Sequence, residues 1–383
     1  MVSGKGAGDE TYSAEGLAAL SRLRREHNCD TVQAIPYVAF TFSGRALIWR
    51  ASMGGHMGRD RLLAGFALLA ALGLAQFPAA AQGKAPSRTP GAKPSLEGTF
   101  TFSTITPLQR PDALADKDTL SDQEAVAFET AENTRLNRDL FDPVKGQPSA
   151  GYPARADGGV LSYNEFWYER GNRMTKDKRT SLVVDPPNGR VPFKDDVRRK
   201  NAEESRRMYL GFADSYEDRT LADRCLMGFN AGPPMTPGAY NNNLQIVQTS
   251  THIVILNEMV HSARIIPTDG RPHGTFRQWS GDSRGHWEGN TLVVETINFM
   301  RETSLQGSTA DTRLVERFTR VDDDTIVYEF TVSDPSSFTQ PWSARFPLVR
   351  IDEPIYEYAC HEGNYAMSHI LAGARARDKG EEK

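Results

Sequence analysis

The feature that most constrains the fold is a repeated alternation of apolar and polar residues in the C-terminal half of the chain. In the segment 325–332, Ile326, Tyr328, Phe330 and Val332 alternate with more polar neighbours. A period of two is typical of β-strands that bury one face. Further strands are predicted at 244–248, 252–258, 263–267, 275–279, 291–299, 313–321, 341–350 and 355–360.

The connections between these predicted strands are short, which favours antiparallel pairing of consecutive strands. The Asp322-Asp323-Asp324 stretch, for example, joins its two neighbouring strands at hairpin length. So many sequential strands must protect their edges, and closure into a barrel does this. The sequence therefore predicts a mainly β protein, an antiparallel up-and-down, lipocalin-like barrel, with a β-sandwich as the alternative.

The N-terminal part of this domain is predicted to add peripheral helices. Ser121 and Glu124 have the spacing of a capping box, which predicts a helix near 121–138. A charged stretch without Pro or Gly predicts a second helix near 194–210. Aromatic residues at 163–169 and apolar residues at 180–185 predict a hairpin between the helices. We expect one β-rich domain over 98–375 and a disordered tail over 376–383.

A stretch at 57–81 has the three parts of a secretory signal peptide: a basic start, an apolar run and an Ala-x-Ala site. The apolar run is short for a membrane-spanning helix, and a buried helix is the alternative. Residues 1–56 are then a mis-set start or an unstructured extension, and 82–97 a flexible tether. This organisation predicts a periplasmic or secreted protein without stable membrane insertion after cleavage.

Two of the three cysteines, Cys225 and Cys360, follow the predicted cleavage site. In an exported protein such a pair predicts a disulfide. Two buried thiols that never meet are the alternative.

Charge and motifs exclude several classes of partner. The formal net charge of -4 offers no basic stripe for a nucleic-acid backbone. No glycine-rich strand-to-helix fingerprint, P-loop or Cys-x-x-Cys-His motif indicates a nucleotide, flavin or haem, and no pair of histidines has zinc-binding spacing. We therefore predict no cofactor, no metal and no nucleic-acid partner, and expect a small-molecule or carbohydrate ligand. The oligomeric state stays open.

Four stretches together resemble a large group of exported bacterial proteins to which no activity is attached. They are Ser181 to Arg190 (SLVVDPPNGR), Arg264 to His273 (RIIPTDGRPH), Gly281 to Val294 (GDSRGHWEGNTLVV) and Tyr356 to Cys360 (YEYAC). The resemblance covers nearly the whole chain after the signal peptide. It implies export and a single family domain, and it implies nothing about chemistry.

The stretch Gly281 to Gly285 begins like the motif of Gly-Asp-Ser-Leu esterases, but Arg284 replaces the leucine and the motif comes late in the chain. We interpret it as two turns around a short strand that carries Trp287, with Gly289-Asn290 as the second turn. Asp282 and Arg284 are then candidates for the rim of a cavity, whereas Ser283 is not expected to be a nucleophile.

A dense set of polar residues near predicted strand ends suits proton transfer. The candidate catalytic residues are His261, His273, His361, Glu258 and Glu362. The candidate substrate-binding residues are Arg264, Arg271, Asp282, Arg284, Asn242, Tyr240, Trp287 and Asn364. A solvated loop with structural ion pairs is the alternative interpretation of the same residues, and the aromatic ones could equally fill the core.

Two classes of function are consistent with these residues. The first is an exported enzyme, a lyase, hydrolase or isomerase, that uses acid–base chemistry on a small organic or carbohydrate substrate in a barrel cavity. The second is a non-catalytic periplasmic protein that binds an apolar or carbohydrate ligand. The density of ionisable groups at strand ends favours the first.

Overall fold

The structure is a computed structural model that describes residues 93–140, 164–209, 213–228, 230–300, 305 and 307–380. These residues belong to one compact unit, Ala79–Lys383. The predicted signal peptide and the segment 1–56 lie outside the described residues.

The described chain is mainly β and contains ten strands. They are β1 (Gly98–Thr101), β2 (Val183–Asp185), β3 (Asn243–Gln248), β4 (His252–Asn257), β5 (Ala263–Pro267), β6 (Asp282–Glu288), β7 (Thr291–Ile297), β8 (Arg313–Arg320), β9 (Thr325–Ser333) and β10 (Trp342–Arg350). Seven of the predicted strands agree with these bounds to within two residues, which confirms the interpretation of the alternating pattern.

Nine of the strands form a nearly closed antiparallel barrel in the order β5-β4-β3-β1-β10-β9-β8-β7-β6, and β2 pairs with β10 beside β1. This order follows the chain around the barrel, so the predicted up-and-down topology is confirmed. Nine strands cannot alternate in direction around a full circle. β5 and β6 therefore run in the same direction, and within the described residues no hydrogen-bonded ladder joins them. We call this gap the seam.

The seam is narrow because β6 carries a glycine where it passes β5. A Cβ atom at Gly285 would lie 3.1 Å from Cγ2 of Ile266 and 3.0 Å from Cγ2 of Thr268. Both distances are shorter than ordinary van der Waals contact. The absence of a side chain at this position thus lets the two ends of the sheet approach each other.

The barrel interior is filled by the apolar faces of the strands. β8 and β9 alternate strictly between buried and more exposed residues, and β10 does so up to Val349. Phe318, Tyr328, Phe330 and Phe346 pack together in the centre. Trp342 is 1% exposed and belongs to this core. The interior that was expected to hold a ligand is occupied by side chains.

One polar cluster lies inside this apolar core. The guanidinium of Arg264 donates to both carboxylate oxygens of Glu316, and the Tyr328 hydroxyl donates to Glu316 Oε1 at 2.7 Å. The backbone N–H of Met235 donates to the Tyr328 oxygen at 3.2 Å, which places the loop before β3 over this cluster. Burial, and then the negative charge of Glu316, raise the pKa of Tyr328 well above its ordinary value.

Three α-helices are described: α1 (Asp122–Leu136), α2 (Asp195–Tyr209) and α3 (Ala366–Asp378). The capping box before α1 is present, since the Ser121 hydroxyl accepts from Glu124 N and the Glu124 carboxylate accepts from Ser121 N. None of the described helices is long and apolar enough to cross a membrane.

Several local predictions were wrong. Of the strand predicted at 163–169, the described residues 164–169 do not form one, because Glu165–Trp167 is a short 3-10 helix, and no strand forms at 275–279 or 355–360. Gly285 does not close a turn, because Asp282 to Glu288 is one continuous strand. Helix α3 was not predicted and extends into the expected tail. Packing also begins earlier than expected, since Leu96 is fully buried in the core.

The two ends of the barrel differ in their connections. Short turns join β3 to β4, β6 to β7 and β8 to β9 at one end. The connections after β1, β4, β7 and β9 begin at the other end, which holds the described residues 230–242, 258–262, 298–300, 307–312 and 334–341. We call it the loop-rich end. Loops on a rigid scaffold commonly carry function, so this end is where a site is expected.

Candidate functional site

The candidate residues occupy three places around the loop-rich end, and the pocket that contains His361 is not lined by His261 or His273. The first contains His273, Asp282 and Arg284 at the start of β6. The second surrounds Glu258 and His261 after β4. The third is a pocket beside the bond between Cys225 and Cys360, and it contains His361 and Asn364.

At the first of the three places, the Asp282 carboxylate holds the His273 imidazole. Nδ1 of His273 lies 3.2 Å from Oδ2 of Asp282, and the Gly274 N–H donates to the same oxygen at 2.7 Å. An ionised carboxylate only accepts hydrogen bonds, so it favours the tautomer with the proton on Nδ1. The side chains of His273 and Asp282 are 22% and 10% exposed. Nε2 of His273 is thereby left as the basic nitrogen.

The loop that carries His273 is fixed on both sides. Arg284 pairs with the other oxygen of Asp282 and donates from Nε to the Pro272 carbonyl at 2.9 Å. Asn298 Nδ2 donates to the Gly274 carbonyl at 2.8 Å. Because the imidazole and its carboxylate are both held from several directions, little reorganisation is needed when a proton moves.

Ser283, the serine of the esterase-like stretch, faces the opposite side of β6. It is 4% exposed, and its hydroxyl lies 2.9 Å from the Thr296 hydroxyl inside the barrel. Asp282 and Ser283 are consecutive residues of strand β6, so their side chains point to opposite faces of the sheet. Ser283 therefore points away from the face on which Asp282 contacts His273.

At the second of the three places, Glu258 is a buried carboxylate with a hydrogen-bond donor at each oxygen. It accepts from the Tyr356 N–H at 2.9 Å and from Asn243 Nδ2 at 2.9 Å. The same amide nitrogen donates to Glu169 Oε1 at 3.0 Å. Burial, and after it the charge of Glu258, raise the pKa of Glu169 despite the Asn243 hydrogen bond.

His261 follows Glu258 in a tight turn, Met259–His261, in which Val260 and His261 both have positive φ angles, of 56° and 38°. The turn separates the two side chains: Glu258 is buried, whereas His261 is exposed and its Nδ1 lies 3.1 Å from the Tyr358 carbonyl. His261 thus contacts the segment 351–365, which we call the C-terminal strap.

The third place is a pocket of about 340 Å³ next to the disulfide. Cys225 and Cys360 are bonded, with Cα atoms 5.8 Å apart, which confirms the predicted pairing. His361 and Asn364 line the pocket together with Tyr216, Asp223 and Arg224. Asn364 Nδ2 lies 3.2 Å from Cys225 Sγ, so its amide is oriented by the disulfide.

The remaining candidate residues lie away from these three places or serve local structure. Arg264 is inside the barrel with Glu316. Asn242 is fully buried and bonds to Asn230, Gly238 and the Glu169 carbonyl. Trp287 packs against the core, Tyr240 stacks on Tyr358 with ring centroids 6.5 Å apart, Arg271 pairs with Asp269, and Glu362 is exposed.

Comparison of the chain with protein-family models and with curated proteins gave no match. The resemblance to exported bacterial proteins therefore stays a prediction. The assignment of chemistry rests on geometry alone.

Sequence reasoning missed Glu169, Glu316 and Arg224. Glu316 could have been found, because it occupies an inward position of an alternating strand between Leu314 and Phe318. Arg264 lies two residues before Ile266 in β5, so both side chains face inward. The opposite charges of Arg264 and Glu316 at inward positions therefore indicated an internal ion pair. Glu169 and Arg224 lie in irregular segments, where spacing carries no such information.

Proposed function

We propose that the protein is an exported enzyme that uses acid–base chemistry, with His273 as the proton carrier and Asp282 as the carboxylate that orients it. The observation that carries this proposal is the fixed contact between His273 Nδ1 and Asp282 Oδ2. The reaction belongs to the lyase, hydrolase or isomerase classes, and the substrate is a small organic or carbohydrate molecule.

The chemistry follows from the arrangement of the pair. Neutral His273 accepts a proton from the substrate or from water at Nε2, and the resulting imidazolium is stabilised by the Asp282 carboxylate. Donation of the same proton at a later step returns the pair to its starting state. Arg284 keeps Asp282 in position through its contact with Oδ1.

A histidine on β6 itself shows why burial matters. His286 Nε2 also lies 3.2 Å from a carboxylate, Glu288 Oε1, but these side chains are 61% and 50% exposed. Water competes for both groups there, whereas His273 and Asp282 are largely shielded from it. The two pairs have equal separations and differ in environment, so His286 is a matched control.

Because side chains fill the barrel interior, the proposed reaction takes place at the rim of the barrel. His273 lies in the loop that crosses from β5 to the start of β6, at the loop-rich end. The substrate therefore contacts this loop and the neighbouring surface rather than the centre of the barrel.

The test is a screen of ester, glycoside and 2-hydroxy-acid substrates with the purified protein, followed by variants. We expect His273→Gln to lower kcat/KM by about 100-fold to 10,000-fold, the usual contribution of a general base or acid. Asp282→Asn should also lower it, because the amide no longer fixes the imidazole tautomer. His286→Gln should leave it unchanged.

A spectroscopic readout separates this role from a structural one. In nitrogen NMR of neutral His273 we expect a protonated Nδ1 and an unprotonated Nε2, and we expect Asp282→Asn to remove this preference. Equal activities of the His273→Gln and His286→Gln proteins would overturn the assignment. Saturable binding of a substrate without turnover would instead favour the non-catalytic binding protein.

A further inference from the structure

A further pocket lies between the start of helix α2 and the loop that joins β9 to β10. We call it the α2 pocket; its volume is about 270 Å³, and it is lined by Lys194 and by residues of the segment 333–341. It combines a concave shape with a few convergent polar groups, as small-molecule sites commonly do. The proposed chemistry at His273 does not use it.

The two segments that form the α2 pocket are joined to each other. The backbone N–H of Lys194 donates to the Ser337 carbonyl at 3.0 Å. The rings of Phe193 and Phe338 pack with centroids 5.3 Å apart, and Phe338 is 3% exposed. Because backbone and ring contacts hold both segments, the pocket is formed before any ligand enters it.

The positive charge of the α2 pocket belongs to Lys194. Among the described residues, the partner of its ammonium group is a neutral one, the Pro335 carbonyl, which accepts from Nζ at 2.5 Å. An ammonium group has three N–H donors, so donors are left for a ligand. A charged group without an opposite charge beside it gains most from a ligand that supplies that charge.

The carboxylate of the α2 pocket, Asp334, is already held by other donors. The Thr309 N–H donates to Oδ2 at 2.6 Å, and the Ser336 N–H donates to Oδ1 at 2.9 Å. The hydroxyls of Thr312 and Ser337 donate to Oδ2 at 3.0 and 3.3 Å. Burial raises the pKa of Asp334, but the hydrogen bonds from Thr309, Thr312 and Ser336 outweigh it and lower the pKa. Asp334 is 2% exposed, so these donors and not Lys194 stabilise its charge.

Neutral polar groups lie in the same pocket. Ser333 is half-buried and supplies a hydroxyl, and Gln340 is exposed and supplies an amide. Each of these groups can both donate and accept a hydrogen bond, as an alcohol on a ligand does. Pro335 and Pro341 are exposed and add apolar surface beside them.

We propose that the α2 pocket binds a small hydroxylated carboxylate, an anion of a few carbon atoms with a single charge. Lys194 holds the carboxylate, Ser333 and Gln340 bind the hydroxyl, and the prolines contact the carbon atoms. The fixed negative charge of Asp334 disfavours an anion with two charges. The volume of about 270 Å³ is below that of ordinary ligand pockets, ~300 to 1,000 Å³, which excludes large ligands.

An NMR titration with three probes tests this site, with the backbone amide signals of residues 333–341 as the readout. Lactate has the proposed charge and hydroxyl, lactamide has the hydroxyl without the charge, and propionate has the charge without the hydroxyl. We expect saturable shifts with lactate and binding about tenfold or more weaker for lactamide, because hydrogen bonds to a charged partner are the stronger ones. Propionate should bind with intermediate affinity.

Variants locate the binding. Lys194→Gln should weaken lactate by about tenfold or more and leave lactamide unchanged. Lys200→Gln, which removes the same charge from a side chain of α2 that is 70% exposed, should change neither. Gln340→Ala should reduce the difference between lactate and propionate, and it keeps the test decisive if Lys194→Gln fails to fold. No saturable shift with lactate, equal binding of lactate and lactamide, or equal effects of the two lysine variants overturns the proposal.

The His273→Gln protein separates this site from the proposed activity. Its affinity for lactate should equal that of the wild type, because His273 does not line the α2 pocket. Loss of lactate binding in this variant would place the ligand at His273 and overturn the proposal. Failure of lactate to bind at the α2 pocket, in turn, leaves the proposed activity at His273 unaffected.

Discussion

At the scale of single residues, glutamates of this protein differ in pKa because their surroundings differ. The hydrogen bond from Lys117, and then those from Ser121, lower the pKa of Glu124 from 4.5 to about 2. Burial and the charge of Glu258 raise the pKa of Glu169. The same side-chain type thus stabilises a helix start in one place and lies beside a second carboxylate in another.

The lowered pKa of Glu124 predicts a pH dependence of stability. A carboxyl group whose pKa is lower in the folded state contributes stability that is fully present above the unfolded pKa, here 4.5, and is lost as the pH falls towards about 2. We expect the stability difference between the wild type and Glu124→Gln to be constant at neutral pH and to shrink below pH 4.5. Urea unfolding at low salt across this range measures it. A difference that does not change with pH contradicts the assignment.

At the scale of elements, the C-terminal strap has no strand or helix of its own and is held by contacts to other segments. Its backbone donates to Glu258 from Tyr356, and its Tyr358 carbonyl contacts His261. Cys360 is bonded to Cys225, at a sequence separation of 135. A segment with few ladder hydrogen bonds depends on such links, and the disulfide is the covalent one among them.

Removal of the disulfide is therefore predicted to destabilise the protein. We expect the double variant Cys225→Ser/Cys360→Ser to lose about 3 to 5 kcal/mol of unfolding free energy, the chain-entropy value for a loop of this length. Guanidinium unfolding with and without dithiothreitol measures the loss. The reduced wild type should match the double variant, and Asn364→Ala, which keeps the bond, is the control. Equal stability of oxidised and reduced wild type would show that the bond contributes nothing.

At the scale of the whole molecule, the odd number of strands prevents the barrel from closing through antiparallel pairs alone. One neighbouring pair must be parallel, and in this barrel it is β5 and β6, so the loop between these two strands must cross the barrel from one end to the other. That loop carries His273. The proposed site is thus a consequence of how the barrel closes.

Because β5 and β6 approach closely at the seam, one methyl group added there is expected to lower the stability of the protein strongly. Gly285→Ala places a Cβ 3.0 Å from Thr268 and 3.1 Å from Ile266, so we expect it to destabilise the protein by about 1 to 3 kcal/mol through overpacking. Gly373→Ala is the control, since a Cβ there meets nothing within 4 Å and the residue lies in helix α3. Thermal unfolding compares the two. A Gly285→Ala protein as stable as Gly373→Ala shows that the seam is not tightly packed.

The sequence by itself determined seven of the strands, the barrel topology, the α1 cap and the disulfide partners, because each depends on local period, local spacing or the count of cysteines. It did not determine the seam, the packed interior or the separation of His261, His273 and His361. Those depend on which strands meet, and contacts such as Arg264 with Glu316 join residues far apart in the chain. The hydrogen bond between His273 and Asp282 was decided by the tertiary structure, because only the course of the loop beside β6 brings an imidazole onto a shielded carboxylate.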